Sequence, residues 1–89
     1  ISADDKKLID DLSKRVINDF ISEYEKLSSL SRENLEPIIK SLIDKHKTNF
    51  KGVGQPLRIA LVGSRYGPGI YDVILSLDKA EVIKRLRKI

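Results

Sequence analysis

The sequence predicts an all-α protein, a small helical bundle of about five helices. Apolar residues recur at three- and four-residue steps, which is the period of one helical face. Residues that typically begin or end helices stand between these amphipathic segments. A chain of 89 residues with 40% hydrophobic and 34% charged residues suits a single helix-rich domain with a modest core.

The first segment is expected to form one long amphipathic helix. Ser2 or Asp4 suits the cap at its start, and weak helix formers at 28–31 place its end near Leu27. The apolar positions that share one face are Leu8, Ile9, Leu12, Val16, Ile17, Phe20, Ile21, Tyr24 and Leu27.

A second helix is expected after Ser31, which is a typical N-cap residue. Pro37 complicates its start, because a proline beyond the first turn removes a backbone hydrogen bond. We favour a short turn followed by a helix from Glu36 to about Lys47. The alternative is a helix that starts at Arg32 and bends at the proline.

Residues 48–54 are expected to form a loop in which Phe50 and Val53 are turned inward. The apolar run 57–62 is too short for periodicity to separate a strand from a helix. Pro56 stands where a helix would begin and Gly63 where one would end, so we favour a helix over the run.

The C-terminal part is expected to contain two further helices. Pro68 suits the first turn of one, and Asp78 with Glu81 forms the D-x-x-E pattern that starts the other. The last helix, residues 79–88, is expected to expose Lys and Arg side chains. The apolar positions on one face of the helix that follows Pro68 are Ile70, Tyr71, Val73, Ile74 and Leu77.

Positive charge is concentrated in the second half of the chain. Residues 1–50 hold 9 basic and 10 acidic side chains, whereas residues 51–89 hold 8 basic and 3 acidic ones. A local positive field attracts polyanions such as RNA. A solvated Lys/Arg face on the last helix would give the same count.

The sequence contains no set of residues that suits catalysis or a metal. Cysteine is absent, and the single histidine, His46, is expected to face solvent near a helix end. The glycine-rich stretch 63–69 lacks the Lys-Ser/Thr of a phosphate-binding loop. We therefore expect no catalytic residue, metal or cofactor here.

The chain does not open with Met, so we expect it to belong to a longer protein.

Two tyrosines flank the glycine-rich corner. Tyr66 and Tyr71 lie near Arg58 and Arg65 in sequence, and aromatic and arginine side chains around an open turn can stack on and bind unpaired bases. The other interpretation is that Tyr71 belongs to the core with its hydroxyl at the rim. The spacing does not separate the two.

Two sequence motifs resemble a known family. Residues 55–63 read QPLRIALVG and residues 68–73 read PGIYDV. They are similar to the signature Q-P-L-R-x-A-L-T-G…P-G-L-F-E-V of the C-terminal anticodon-binding region of bacterial-type glutamyl-tRNA synthetases, which are class I aminoacyl-tRNA synthetases. The resemblance is good from about Leu35 onward. It implies a linking helix in residues 1–30 and an anticodon-binding domain in residues 31–89.

The resemblance implies an all-α fold of the α-helix-cage type and the tRNA anticodon loop as partner. It also implies a parent protein in the cytoplasm that attaches glutamate to tRNA. ATP and magnesium would belong to the catalytic domain of that parent, which lies outside this chain. The fragment alone would bind RNA without catalysing a reaction.

The resemblance also assigns site residues. Arg58 matches the arginine that lies against the first anticodon base, and Gly67, Pro68, Ile70 and Tyr71 match the corner around the first and middle bases. Gly67 stands where a small hydroxyl residue is common, which would leave backbone contacts to the middle base. Basic side chains expected near phosphates are Arg65, Lys79, Lys84, Arg85 and Lys88.

A different class of function also fits the sequence. The alternative hypothesis is a non-catalytic helical protein-interaction module that docks its basic last helix on an acidic partner. Such a module would bind without regard to anticodon sequence, which separates it from the first hypothesis.

Overall fold

The computed structural model describes residues 3–64, 66–67 and 69–89. The described residues form six α-helices: α1 (Ala3–Lys6), α2 (Asp11–Glu25), α3 (Arg32–Lys45), α4 (Phe50–Val62), α5 (Ile70–Leu75) and α6 (Lys79–Arg87). No strand occurs in this part of the chain, so the predicted all-α class is confirmed. The apolar run 57–62 is helical, as favoured.

The N-terminal segment is not the single long helix that was predicted. The chain leaves the helical conformation after α1, and Asp10 is extended, with φ −97° and ψ −173°. Its carboxylate accepts the Ser13 N–H at 2.8 Å, which caps α2. An Asp that bonds the backbone in this way competes with a continuous helix. Of the two predicted caps, Ser2 lies outside the described residues, whereas Asp4 lies within α1 rather than before it.

The expected turn before Pro37 is wrong, because α3 runs through the proline from Arg32. Ser31 caps this helix as predicted, and its hydroxyl accepts the Asn34 N–H at 3.3 Å. Leu35 and Ile38, on either side of Pro37, are buried in the core. Pro37 itself is exposed, so water can bind the carbonyl that loses its partner. Burial on both sides therefore outweighs one lost hydrogen bond.

The predicted loop at 48–54 is also wrong from Phe50 onward, because residues 50–54 are helical. Helix α4 begins at Phe50, because the Asn49 side chain accepts the Gly52 N–H at 2.8 Å. Phe50 is exposed rather than turned inward, whereas Val53 is buried as expected. Pro56 lies inside this helix rather than at its start.

The end of α4 was predicted correctly. Gly63 adopts φ 77°, the left-handed conformation that closes many helices. Its N–H donates to the Ile59 carbonyl at 2.9 Å. A residue without a Cβ adopts this conformation at little cost, so the glycine sets the boundary.

Helix α6 begins at the predicted residue, although the predicted capping bond is not formed. Asp78 occupies the N-cap position without a side-chain hydrogen bond. Glu81 instead accepts Arg85 Nε at 2.9 Å. Burial of Val82 and Leu86 in the core therefore helps to stabilise α6, although its N-cap forms no side-chain hydrogen bond.

One hydrophobic core joins the helices. Helix α2 packs against α3, α4 and α6, and α4 also packs against α3, α5 and α6. Phe20 and Tyr24 of α2 are fully buried and stack with ring centroids 5.3 Å apart. Since α2 contributes its apolar face to the same core as the later helices, it is part of the packed domain. The predicted division at residue 30 stays a prediction.

Candidate nucleic-acid interface

An open cavity of about 490 Å³ lies over the first half of α4. Helical spacing brings most of its lining to one face of that helix, and Tyr66 closes the cavity from the following loop. The lining residues are Phe50, Lys51, Gly54, Gln55, Arg58 and Tyr66. The continuation of α4 toward Phe50, which the sequence did not predict, therefore supplies four of the six described lining residues.

Arg58 is half-buried, with its side chain facing this cavity. The buried Leu57 and Ile59 on either side of it fix the rotation of α4. Arginine presents several N–H donors in a rigid fork, which suits the acceptor atoms at a base edge. The cavity thus combines a positioned guanidinium with open space next to it.

Aromatic surface surrounds the same opening. Phe50 is 47% exposed and Tyr66 is 71% exposed. Tyr71, in the first turn of α5, is half-buried, and its ring centroid lies 6.2 Å from that of Phe50. Large exposed aromatic rings are unfavourable in water, whereas they provide stacking surfaces for unpaired bases.

Tyr71 is held in place from its other side by α3. The Arg32 guanidinium lies 4.8 Å from the Tyr71 ring centroid, and its Nε donates to Glu36 at 2.9 Å. Burial raises the pKa of Tyr71, and the negative charge of Glu36 adds to the rise. The phenol therefore stays protonated and can still donate a hydrogen bond.

The glycine-rich corner is described in part. Gly67 is exposed and has φ 138°, a conformation that L-residues rarely adopt. A hydroxyl residue in place of Gly67 would therefore be strained in this backbone conformation. Ile70 is buried in the core and only 1% exposed, so this residue, which was predicted to contact a base, is not accessible to a ligand in this structure. The predicted site residues Arg65 and Pro68 lie outside the described residues.

The predicted phosphate-contacting cations fall into two groups. Lys79 Nζ donates to the backbone carbonyls of Glu25 and Leu27 at 2.9 and 2.6 Å. Arg85 donates to Glu81 and, at 2.7 Å, to the carbonyl of Leu61. Lys79 therefore links α6 to the end of α2, and Arg85 links α6 to the end of α4.

The other two described cations of the predicted set are exposed. Lys84 and Lys88 point to solvent from the end of α6 and line an open cavity with Glu25 and Arg87. Arg87 Nη2 donates to Glu25 at 2.6 Å. The two lysines are therefore better placed than Lys79 for contact with a polyanion.

The expectation that His46 faces solvent is wrong. Its side chain is only 10% exposed, and Nε2 lies 2.7 Å from Asp19 Oδ2. Lys45 Nζ also lies 3.0 Å from that oxygen. Burial of Asp19 disfavours its charge, but hydrogen bonds from Lys45 and His46 outweigh burial and lower the pKa of the carboxyl. The cluster fastens the end of α3 to α2.

Sequence reasoning missed several residues at this site, namely Arg32, Phe50, Lys51 and Gln55. Phe50, Lys51 and Gln55 precede Arg58 at helical spacing. This relation was missed because residues 48–54 were predicted to form a loop. Arg32 reaches the site only through the packing of α3 near α5. No local signal in the sequence shows this contact.

The fold and this surface define a class: a small all-helical domain that offers an arginine and exposed aromatic rings at an open cavity. A family model described as "Anticodon binding domain" matches residues 1–89. The chain therefore belongs to the anticodon binding domain family, and the resemblance drawn from the two sequence motifs is confirmed.

Several relatives carry the same region. A glutamate–tRNA ligase of Pelagibacter ubique is 55% identical over 92% of this chain and 18% of its own length. A glutamate–tRNA ligase 1 of Syntrophus aciditrophicus is 39% identical over 70% of the chain and 13% of its own length. A glutamate–tRNA ligase of Flavobacterium johnsoniae is 30% identical over 82% of this chain and 15% of its own length. The chain thus spans less than a fifth of these relatives.

The described residues form neither a membrane-spanning helix nor a metal site. None of their helices combines the length and apolar character needed to cross a membrane. No group of three or more His, Cys, Asp or Glu side chains in this part of the chain is arranged to hold a metal ion.

Proposed function

We propose that this chain binds the anticodon loop of tRNA as the anticodon-binding domain of a glutamate–tRNA ligase. The observation that carries the proposal is the cavity in which Arg58 faces open space beside Phe50 and Tyr66. An unpaired base can stack on the aromatic surface while the guanidinium binds its edge. The family match and the glutamate–tRNA ligase relatives support tRNA as the polyanion.

The proposal extends to the protein from which the domain comes. Charging of tRNA with glutamate would take place in a separate catalytic domain, which would use ATP and magnesium, and the location would be the cytoplasm. The role of this chain would be selection. It would bind the correct anticodon and so raise the fraction of productive encounters.

Within the site, selectivity and affinity come from different residues. Arg58 and the corner at Gly67 and Tyr71 would read bases. Exposed lysines such as Lys84 and Lys88 would contact phosphates and fix the orientation of the RNA. Arg65 and Pro68 keep their proposed roles next to the corner.

The test compares glutamate tRNA with a version whose anticodon is exchanged, using fluorescence anisotropy and the Arg58→Ala variant. Loss of a good base contact costs about 1–3 kcal/mol, or about 5- to 150-fold in affinity. We expect that loss for the cognate tRNA and little change for the exchanged one. Arg15→Ala, an exposed arginine of α2 that does not line the cavity, is the matched control.

The same substitution in the complete ligase should lower kcat/KM for tRNA charging by a similar factor. Equal binding of both tRNAs by the unmodified chain would favour the protein-interaction module instead. Unchanged binding and charging by Arg58→Ala would remove the cavity from the site.

A further inference from the structure

Three lysines from distant parts of the sequence converge on one open cavity away from Arg58. Lys6 ends α1, Lys14 lies in the first turn of α2, and Lys88 follows α6. With Ile9 and Ile89 they line a space of about 420 Å³, and all three lysines are exposed. None of the described residues that line this cavity carries an acidic side chain.

The three lysines that line this cavity differ from the described cations that are held in ion pairs. Several others pair with a carboxylate within 4 Å, namely Lys26, Arg32, Lys45, Arg85 and Arg87. The three lysines of the cavity have no such pair with any described residue. Asp10, which lies near Lys14 in the sequence, uses its carboxylate to cap α2. Three like charges therefore line one space that has no acidic side chain among its described lining residues, and their mutual repulsion favours the binding of an anion.

The positive surface continues beyond this cavity. A smaller space of about 160 Å³ shares Lys14 and Ile89 with it, and Arg87 also lines that space. The cavity at Lys84 shares Lys88. Among the described residues that line these neighbouring spaces, the one acidic side chain is that of Glu25, which Arg87 neutralises at 2.6 Å.

The lysines on this continuous surface form a unit that we name the basic face: Lys6, Lys14, Lys84 and Lys88. The basic face and the Arg58 cavity share no lining residue in the described part of the chain. The two also differ in chemistry. The Arg58 cavity has aromatic rings on which bases can stack, whereas the described residues that line the spaces of the basic face include no aromatic side chain. Lysine is a mobile point charge that suits phosphate oxygens and carries little base specificity.

We propose that the basic face binds the sugar–phosphate backbone of the same tRNA whose anticodon enters the Arg58 cavity. This inference rests on the proposed function, and it adds Lys6 and Lys14 of the N-terminal helices to the contact surface. The N-terminal segment then contributes to affinity and not only to the core. An acidic protein segment is the competing occupant, and the test separates the two.

The experiment measures tRNA affinity at several salt concentrations for a triple variant, Lys6→Gln, Lys14→Gln and Lys88→Gln. Removal of one phosphate-binding lysine lowers the slope of log K against log salt by nearly one, so we expect a decrease of about 2 to 3. The cognate and anticodon-exchanged tRNAs should weaken by the same factor at each salt concentration, and that factor should be about 16- to 64-fold larger at 50 mM than at 200 mM salt. A triple Lys→Arg variant should retain binding.

The matched control replaces three exposed lysines outside the basic face, Lys26→Gln, Lys40→Gln and Lys47→Gln, with the same change in net charge. If the two triple variants have the same salt slope, the basic face does not bind RNA and the inference is overturned. Weakening restricted to the cognate tRNA would also contradict a backbone contact. Failure of the proposed function is a separate result, since it would appear as equal affinity of the unmodified chain for both tRNAs.

Discussion

Replacement of Lys79 by methionine tests whether this residue serves the fold or the RNA. Lys79 was predicted to lie near phosphates, but its Nζ donates to two backbone carbonyls, Glu25 O at 2.9 Å and Leu27 O at 2.6 Å. The carbonyl of Glu25 lies at the C-terminal end of α2, where a helix leaves acceptors without partners, and Leu27 follows the C-cap residue Lys26. The ammonium also lies 5.9 Å from the Tyr24 ring centroid.

The size of the effect follows from the two hydrogen bonds. A hydrogen bond to a charged group contributes about 1.5–3 kcal/mol when buried. The bond to Glu25 is exposed, so water can replace it, whereas the bond to Leu27 is partly buried. We therefore expect Lys79→Met to lower the free energy of unfolding by about 2 kcal/mol. In a domain of this size that corresponds to a decrease of about 8–16 °C in Tm.

The assay is denaturant unfolding followed by circular dichroism, with Tm measured in parallel. Lys84→Met is the matched control, because Lys84 lies in the same helix and is exposed. The control should change stability by less than about 0.5 kcal/mol. If Lys79→Met is as stable as Lys84→Met but binds tRNA much more weakly than the unmodified chain, the structural role assigned to Lys79 is refuted.

Three further changes probe the fold. Tyr24→Phe should leave stability unchanged or raise it by about 1 kcal/mol, because the buried hydroxyl has no hydrogen-bond partner among the described residues; a clear loss of Tm would show a missing partner. Gly63→Ala should cost about 1 kcal/mol, since φ 77° disfavours a Cβ, and an unchanged denaturation midpoint would contradict this. Hydrogen bonds from the Ser13 N–H and hydroxyl lower the pKa of Asp10 below its usual 3.8. Its contribution is therefore complete above that value and is lost as pH falls through the lower pKa of the folded state. A scan of Tm against pH should show a shallower acid decline for Asp10→Ala than for the wild type.

Local chemistry was sufficient to predict several boundaries. Ser31 and Gly63 mark a helix start and a helix end through backbone geometry that depends on their own side chains, or on the lack of one. The start of α6 after Asp78 was also predicted, although the capping bond on which that prediction rested is not formed. These signals act over three or four residues, so the sequence contains them in full.

Prolines were the main source of error in the predicted fold. Pro37 and Pro56 each favour a helix start when only local sequence is considered, yet α3 and α4 continue through both. The cost of a proline inside a helix is about 3 kcal/mol. Burial of apolar side chains on both sides of the proline offsets that cost, and only the tertiary structure reveals it. The error at Pro56 hid Phe50 and Gln55 from the predicted site.

Contacts between distant residues were beyond the sequence. Lys79 bonds carbonyls more than fifty positions earlier, and Arg87 pairs with Glu25 over a similar separation. The pairing of His46 with Asp19 likewise needs α2 and α3 to pack. The sequence therefore gives the number of basic residues, but it does not show which of them are available to contact RNA.

The most direct test of the Arg58 cavity uses a tryptophan at position 50. The chain has no tryptophan, so Phe50→Trp introduces a single fluorescent reporter into the cavity wall. Leu75→Trp, at an exposed position that lines no part of this cavity, is the control. A base that stacks on the indole should quench its fluorescence.

With an RNA hairpin carrying the glutamate anticodon loop, we expect strong quenching of the indole signal in Phe50→Trp and little change in Leu75→Trp. Exchange of the anticodon, or Arg58→Ala in the same background, should abolish most of this quenching. An unchanged signal from Phe50→Trp while the hairpin is bound would show that no base enters the cavity, and would contradict the assignment of the site.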